Sequence, residues 1–266
     1  MNSISPNLNI MIKACEKASK VIIRDFGEIE NLQVSKKGPR DFVTKTDKKV
    51  EKILIEELSK SKKNYSFITE ETGKINNKNK ENFWIIDPID GTTNFAHGFA
   101  PYCISVALWE DGQVVVGMVY EMAHHQCFYA VKHQGAFLNG KALSIGSVYD
   151  PKKALIATGF PYTEFHHLEH FTSLLKDLFR ETHGVRRAGA ASYDLCAVAA
   201  GWVDAFFEEG LKPWDVAAGA LIVQEAGGEI SDWKGGKDWL EGRQIIAANP
   251  TMKKYLLHKL STIYPI

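Results

Sequence analysis

The chain has 266 residues, of which 45% are hydrophobic and 24% are charged, the composition of an ordinary globular protein. Its 32 basic and 32 acidic residues cancel, which argues against nucleic acid or an anionic membrane as partner, because proteins that bind them carry a basic excess. No apolar run reaches the roughly 18 residues that a membrane span needs. The polar N-terminus lacks a signal-peptide core, and the four widely spaced cysteines indicate reduced thiols. We therefore expect a cytoplasmic protein without membrane contact.

The first seventy residues predict two helices and a strand. An amphipathic pattern over residues 8–25 indicates the first helix, and the Lys/Gly/Pro-containing stretch 31–43 indicates a loop. Thr46 or Asp47 is expected to cap a second helix. A short strand at 65–68 then leads into an acidic pair.

A second strand ends in two carboxylates. Phe83 to Ile86 form an apolar run bounded by breakers, which predicts a buried strand. Pro88 fixes its own φ and favours an extended conformation at Asp87. We expect the carboxylates of Asp87 and Asp90 and the carbonyl of Ile89 to face one point at the strand end. Such hard oxygen ligands suit Mg²⁺, which is usually held by a few carboxylates together with substrate phosphate.

The residues after these carboxylates predict a sharp turn. Gly91 tolerates the backbone conformation of such a turn, and Thr92 and Thr93 can cap whatever follows. If the three residues open a helix, their amides can bind phosphate. The competing interpretation is that Asp87 to Asp90 form only a capped turn.

Two hairpins and an alternating second half complete the predicted fold. Asp111-Gly112 and Asn139-Gly140 are hairpin turn signals between strand-like runs. The strands around them are predicted at 102–109, 113–120, 127–131 and 135–138, with further strands at 154–158, 205–208 and 244–248 and helices at 168–179, 193–200, 213–226 and 250–258. This mixture favours a layered α/β or α+β architecture.

Carboxylates follow the ends of several predicted elements. They are Asp47, Glu70, Asp87, Asp90 and Asp215. Each has a structural alternative when taken alone: a helix cap, a solvated acidic pair, a turn or a group that stabilises a helix dipole. Together they favour a two-metal site, whose ions hold an attacking water and a leaving oxygen during phosphate monoester hydrolysis.

Other polar clusters support structural interpretations. His166, His167 and His170 have the spacing of one helix face, but a surface cluster at a helix start is favoured over zinc. His124-His125 is interpreted in the same way. The basic stretch 36–40 is favoured as a solvated loop over a phosphate-steering one.

Four blocks of the chain resemble the inositol monophosphatase family. They occur in the family's order and extend over nearly the whole chain. The blocks are Asp41-Phe42-Val43-Thr44-Lys45-Thr46-Asp47, Phe67-Ile68-Thr69-Glu70-Glu71, Trp84 to Phe95, and Trp214 to Gly219 running into Glu225-Ala226-Gly227-Gly228. Gly159-Phe160-Pro161-Tyr162 and Gly210 to Asp215 resemble the bacterial SuhB-like branch.

The resemblance implies an α+β fold, a layered αβαβα sandwich of the inositol monophosphatase/fructose-1,6-bisphosphatase type. We expect residues 1–266 to form a single domain. It also implies a site with two or three Mg²⁺ ions, lithium sensitivity and a homodimer. The implied metal ligands are Glu70, Asp87, the Ile89 carbonyl, Asp90 and Asp215.

The resemblance further implies attack by a metal-activated water. Glu70 and Thr92 would orient this water, with Asp47 hydrogen-bonded to Thr92. Glu208 would bind the hydroxyl groups of the substrate. The remaining substrate contacts would come from Asp90, Gly91, Thr92, Thr93 and Asp215.

Two departures from the family pattern concern the substrate more than the metals. Thr69 stands where the family usually has glycine. At the second departure, Ala190 lacks a hydroxyl that could touch the substrate, while Ser192 introduces one.

The predicted function is Mg²⁺-dependent hydrolysis of myo-inositol 1-phosphate and related small phosphate monoesters. The alternatives are a fructose-1,6-bisphosphatase, a histidinol-phosphatase or a 3′-phosphoadenosine nucleotide phosphatase. A protein with an additional non-catalytic interaction role is the alternative of a different class.

Overall fold

The computed structural model describes residues 5–26, 34–36, 42–161 and 165–264, with only the backbone described at 34–36 and 42–44. The helices are α1 (Pro6–Asp25), α2 (Lys45–Ser59), α3 (Thr92–Ala96), α4 (Leu168–Glu181), α5 (Ala191–Ala199), α6 (Pro213–Glu225) and α7 (Pro250–Ile263), with a 3-10 turn at Pro151–Lys153. The strands are β1 (Val34–Lys36), β2 (Phe42–Thr44), β3 (Tyr65–Thr69), β4 (Gly73–Ile75), β5 (Asn79–Asp90), β6 (Cys103–Glu110), β7 (Gln113–Glu121), β8 (Gln126–Val131), β9 (Ala136–Leu138), β10 (Lys141–Ala142), β11 (Leu155–Thr158), β12 (Gly184–Arg186), β13 (Ala205–Glu209), β14 (Glu229–Ser231) and β15 (Gln244–Ala248). No described helix combines the length and apolar character needed to cross a bilayer.

The first sheet has eight strands in the order β10-β9-β8-β7-β6-β5-β3-β4. Both predicted hairpins lie in it and are confirmed. Asp111 and Gly112 have φ of 51° and 79°, and Asn139 and Gly140 have φ of 48° and 81°. Positive φ at both central residues is what a two-residue hairpin turn requires.

The second sheet has five strands in the order β12-β11-β13-β15-β14. Strand β11 is parallel to both β12 and β13, whereas β15 is antiparallel to β13 and β14. Helix α4 connects β11 to β12 and α5 connects β12 to β13, as parallel strands need crossover connections.

Three apolar cores hold five layers together, and this confirms the predicted αβαβα sandwich. One core joins α1 and α2 to the outer face of the first sheet, a second joins α5 and α6 to both sheets, and a third joins α4 and α7 to the second sheet. Residues 216–223 of α6 are all buried, since a helix between two sheets has no solvent-facing side. In α1, by contrast, the residues buried fall on one face.

Several short elements differ from the prediction. The stretch 31–43, predicted as a loop, contains β1 and most of its paired strand β2. Its residues 31–33 and 37–41 lie outside the described residues, and with them all of the basic stretch 36–40 except the backbone of Lys36. Helix α2 begins at Lys45, so Thr46 and Asp47 lie in its first turn and the prediction that one of them is the N-cap is wrong. Strands of three residues are too short to show a period of two, which is why β4, β12 and β14 were not predicted.

Candidate functional site

A bulge in β5 brings two carboxylates to one side of the first sheet. Residues three apart in a regular strand point to opposite faces. In β5, Asp87 pairs with Ser105 while Asp90 pairs with Cys103, so the strand gains an extra residue between them. Pro88 lies in this bulge, where the missing N–H is tolerated. The irregularity therefore lets Asp87 and Asp90 converge, as the sequence predicted.

Helix α6 adds a third carboxylate. Asp215 lies in its first turn, where the Lys212 backbone N–H donates a hydrogen bond of 2.7 Å to Asp215 Oδ2. One oxygen from each of Asp87, Asp90 and Asp215 lies within 4.8 Å of the other two. Within the described residues this acidic triad is the one group of three or more side chains arranged to hold a metal ion.

Burial and mutual repulsion disfavour the charged forms of the triad. Burial raises the pKa of Asp90 to about 6, and burial followed by the charge of Asp90 raises the pKa of Asp215 to about 7. The pKa of Asp87 is raised well above its usual value by burial and by the neighbouring carboxyls, Glu70 first. Asp87 Oδ1 is buried and has no hydrogen-bond partner. A cation would relieve both the repulsion and the missing partner.

Asp90 also caps the N-terminus of α5. The N-cap residue of this helix, Ala190, has no side chain that can accept a hydrogen bond. Asp90 Oδ2 instead accepts bonds of 2.7 Å from the Ser192 backbone N–H and 2.5 Å from the Ser192 hydroxyl. The hydroxyl noted as a departure at Ser192 thus contacts the acidic triad.

Glu70 and Thr92 lie beside the triad and line the same cleft. Glu70 directly follows β3, and its backbone N–H donates to the Ile86 carbonyl at 3.2 Å. The Thr92 hydroxyl donates to the Ile89 carbonyl at 2.9 Å. Its single proton is therefore directed at Ile89 and not at Asp47, which differs from the expected hydrogen bond. A carbonyl oxygen has two lone pairs, so Ile89 retains one for another partner.

The turn after Asp90 requires glycine. Gly91 has φ of 89°, and a Cβ there would lie 3.0 Å from the Pro101 carbonyl oxygen. Gly91 is also the N-cap of α3, so Thr92 and Thr93 are its first helical residues instead of its caps. All three residues line the cleft.

The cleft has a volume of about 390 Å³ and reaches from the acidic triad to the second sheet. Of the predicted site residues, the structure places Glu70, Asp90, Gly91, Thr92, Thr93, Glu208 and Asp215 along its wall. Asp87 joins through the triad, whereas Asp47, only 1% exposed, lies behind the wall.

Glu208 lies on the second-sheet wall, in β13. Its carboxylate packs against Gly159, where any Cβ would overlap it. Burial and the charges of Asp194, Asp215 and Asp90 raise its pKa well above the usual value, while Arg187 opposes them.

Arg187 and Asp194 line the cleft but were not predicted as site residues. Asp194 is 2% exposed and lies in the first turn of α5. One signal for it is present in the sequence: the other residues of this helix, Ala191–Ala199, are small, apolar or aromatic except Ser192, so a lone carboxylate among them is unusual. No comparable signal distinguishes Arg187 from its neighbour Arg186.

The histidines are not assembled into a metal site. His166 and His167 precede α4 at the cleft rim, and His167 Nδ1 lies 3.1 Å from Glu209 Oε2. Within the described residues, the acidic triad is the one group of possible metal ligands, and no histidine belongs to it. His166 and His167 thus stand at a helix start, as expected, and they also line the cleft.

Comparison with known proteins identifies the family. The profile of the inositol monophosphatase family matches residues 4–264. An inositol-1-monophosphatase of Mesorhizobium japonicum is 42% identical over 250 residues, 94% of each chain, and the Nus factor SuhB of Vibrio cholerae is 40% identical over 255 residues, 96% of each chain. The crystal structure of the extragenic suppressor protein suhB of Bartonella henselae superposes with a TM-score of 0.93 at 39% identity, covering 96% of this chain and 98% of that one. The chain therefore belongs to the inositol monophosphatase family, a membership that supports a phosphatase.

Proposed function

We propose that the chain is a Mg²⁺-dependent phosphomonoesterase that hydrolyses myo-inositol 1-phosphate and related small phosphate monoesters. The observation that carries this proposal is the convergence of Asp87, Asp90 and Asp215 within 4.8 Å at the wall of the cleft. A phosphate ester is among the slowest substrates to hydrolyse in water, and concentrated positive charge is the usual means of accelerating its hydrolysis.

The residues present fit a divalent cation. The family is metal-dependent, and the triad offers only carboxylate oxygens, one of which is buried without a partner. Oxygen ligands of this kind favour Mg²⁺ over softer metals. We propose that two or three Mg²⁺ ions are held by Glu70, Asp87, the Ile89 carbonyl, Asp90 and Asp215. Bound Mg²⁺ would neutralise the carboxylates, bind phosphate oxygens and lower the pKa of water.

The chain's own groups then position the reactants. Glu70 and Thr92 orient the attacking water, and Asp47 supports them from behind the cleft wall. The backbone N–H groups of residues 91–93 and the Thr93 hydroxyl hold the phosphate, since these residues line the cleft next to Asp90. Holding water and phosphate in line removes much of the entropic cost of bringing them together.

Glu208 is proposed to bind the alcohol half of the substrate. A carboxylate accepts hydrogen bonds from hydroxyl groups, so this position favours a polyol ring over an adenine nucleotide. The rival substrates are fructose 1,6-bisphosphate, histidinol phosphate and 3′-phosphoadenosine nucleotides. Because the site draws on both sheets, we also propose that residues 1–266 act as one domain.

Three further properties follow from the family assignment as proposals: a homodimer, inhibition by lithium and a cytoplasmic location. The four cysteines are all free, and three of them are buried, which suits a reducing compartment. Size-exclusion chromatography with light scattering measures the first property directly.

A second, non-catalytic role is proposed alongside catalysis. It is supported by the relative named Nus factor SuhB, which is 40% identical to this chain. An Asp87→Asn variant that loses turnover but retains the cellular phenotype of the wild type would support this role.

The test is release of phosphate from a substrate panel with Mg²⁺, with EDTA, and with Mg²⁺ plus Li⁺. The panel contains myo-inositol 1-phosphate and the three rival substrates. We expect the fastest turnover with myo-inositol 1-phosphate, none in EDTA and inhibition by Li⁺. Much faster turnover of a rival substrate would overturn the substrate assignment, and full activity in EDTA would overturn the metal assignment.

A further inference from the structure

A second carboxylate lies in the cleft near Glu208. Asp194 belongs to α5, in the layer between the sheets, and Glu208 to β13 of the second sheet. Both line the cleft, and after burial the charge of Asp194 is the largest cause that raises the pKa of Glu208. Burial, followed by the charge of Asp90, raises the pKa of Asp194 well above its usual value, and Arg187, which also lines the cleft, opposes the rise in the pKa of both residues. Two carboxylates and one guanidinium therefore share the wall beyond the acidic triad.

Asp194 has no hydrogen-bond partner within the described part of the chain. The residue is 2% exposed, yet no donor from a described residue reaches its carboxylate. A buried polar group without a partner costs free energy, and a buried charge costs more. The remaining exposure of Asp194 faces the cleft.

The buried position of Asp194 is not explained by a role in stabilising the N-terminus of α5. An acidic residue in a first turn commonly accepts hydrogen bonds from the free backbone N–H groups. In α5 these bonds go to Asp90, which accepts from the backbone N–H groups of Ala191 and Ser192. Asp194 is thus left with its acceptor capacity directed into the cleft.

We propose that Asp194 is a substrate-binding residue that accepts hydrogen bonds from hydroxyl groups of a polyhydroxy alcohol phosphate, opposite Glu208. This inference rests on the proposed phosphatase function and extends its alcohol-binding wall from one carboxylate to two. Hydroxyl groups fit better than a cationic group, because Arg187 already supplies positive charge to both carboxylates. The site would discriminate against esters without hydroxyl groups, because binding them leaves the buried carboxyl oxygens without hydrogen-bond donors.

The experiment compares three phosphate esters in wild type, Asp194→Ala and Asp194→Asn with saturating Mg²⁺. Myo-inositol 1-phosphate carries several hydroxyls, phenyl phosphate carries none, and O-phosphoethanolamine carries an ammonium group. We expect Asp194→Ala to raise KM for myo-inositol 1-phosphate about tenfold, the effect of one lost hydrogen bond between a substrate hydroxyl and a buried carboxyl group. The kcat/KM for the other two esters should change less than about twofold on the same reasoning.

Asp194→Asn and a surface variant serve as controls. Asn has nearly the same shape as Asp and retains one acceptor oxygen, so its effect should be in the same direction and smaller. Asp111→Asn changes an exposed acidic residue at a hairpin tip and should leave the KM and kcat/KM for all three esters unchanged. Both Asp194 variants should melt no lower than wild type, because they remove no internal hydrogen bond.

Three results would overturn the inference: an equal loss for all three esters, no change in KM for myo-inositol 1-phosphate, or a loss confined to O-phosphoethanolamine. Failure of the proposed function gives a different result, which wild type alone reveals: much faster turnover of a rival substrate than of myo-inositol 1-phosphate, full activity in EDTA, or no hydrolysis of any ester. If wild type is active and the Asp194 variants keep its ratio of kcat/KM values between the esters, only the role of Asp194 is overturned.

Discussion

The carboxylates on the two sides of the cleft differ in what holds them. On the metal side, Asp90 accepts two hydrogen bonds from Ser192 and Asp215 accepts one from the Lys212 backbone. On the alcohol side, Glu208 and Asp194 accept none from the described residues. The fold therefore holds Asp90 and Asp215 in place before a ligand binds, whereas Asp87 Oδ1, Glu208 and Asp194 have acceptor capacity that the proposed cation and substrate would fill. Changes on the metal side should impair every substrate, and changes on the alcohol side should impair only substrates with hydroxyls.

The largest effect is expected from the triad itself. Asp87→Asn, Asp90→Asn or Asp215→Asn removes a charged ligand from the proposed metal site. We expect kcat to fall about a thousandfold for all esters, since a metal ion supplies several kcal/mol of charge stabilisation in the transition state. Phosphate release at saturating Mg²⁺ measures the loss.

These variants should remain folded. Burial raises the pKa of all three triad carboxyls, and neighbouring carboxylates raise those of Asp87 and Asp215 further, so a neutral amide at any of the three positions removes a disfavoured charge. Thermal melting is the control for each variant. Near-normal turnover in any of the three would refute the metal assignment for that residue.

A smaller effect is expected from Ser192→Ala. The variant keeps the backbone N–H that donates to Asp90 but loses the hydroxyl that donates at 2.5 Å. Hydrogen bonds that orient a metal ligand typically change metal affinity by about 10–100-fold, so the Mg²⁺ concentration for half-maximal activity should rise about tenfold. The Mg²⁺-dependent increase in melting temperature gives the same midpoint without an activity assay.

The matched control is Ser66→Ala, which removes a buried hydroxyl that donates to the Asn79 carbonyl at 2.7 Å. It should leave the Mg²⁺ midpoint unchanged. An equal shift in both variants would mean that Ser192 acts through general stability and not through Asp90.

The two sides of the cleft also differ in how much of each could be predicted from the sequence. Asp87 and Asp90 were predicted together because Pro88 and Gly91 give local signals that depend on neighbouring residues alone. The bulge that makes them converge is local as well. Long strands and helices were predicted for the same reason, since their periodicity extends over many residues.

Contacts between distant residues could not be predicted in this way. Ser192 reaches Asp90 across 102 positions, and the sequence noted its hydroxyl without indicating its partner. Asp194 enters the cleft only because α5 lies between the two sheets, and Arg187 enters it from the segment that joins β12 to α5. Such placements depend on topology, which no local pattern in a single sequence specifies.

On the alcohol side, Gly159→Ala should have a moderate, substrate-selective effect. The new Cβ would occupy the position of the Glu208 carboxylate, which must then rotate away. We expect KM for myo-inositol 1-phosphate to rise about fivefold, equivalent to ~1 kcal/mol for a hydrogen bond out of position. Kinetics with phenyl phosphate should be unaffected.

Gly184→Ala is the matched control in the same sheet, because a Cβ there would make only ordinary contacts of 3.4 Å or more. Gly184→Ala should leave the kinetics with both myo-inositol 1-phosphate and phenyl phosphate unchanged. A loss of phenyl phosphate turnover in Gly159→Ala would indicate that the change reaches the metal side, and the separation between the two sides would then be wrong.

The smallest effect concerns stability and pH. An unfolded Asp has a pKa of about 3.9, whereas folding raises the pKa of Asp90 to about 6 and of Asp215 to about 7. Between these values the folded chain binds more protons than the unfolded chain, so stability falls as pH rises. In EDTA, the melting temperature should drop on the order of 5 °C between pH 5 and pH 8 from these groups.

Other groups titrate in the same range, so the informative quantity is the difference between wild type and Asp215→Asn. The variant lacks one of the raised carboxyls and should show a shallower decline with pH in EDTA. Saturating Mg²⁺ should remove most of the decline in wild type, because the cation binds the deprotonated triad and restores at high pH the stability that repulsion removes. Identical slopes for variant and wild type in EDTA would show that the Asp215 carboxyl does not contribute to the pH dependence of stability.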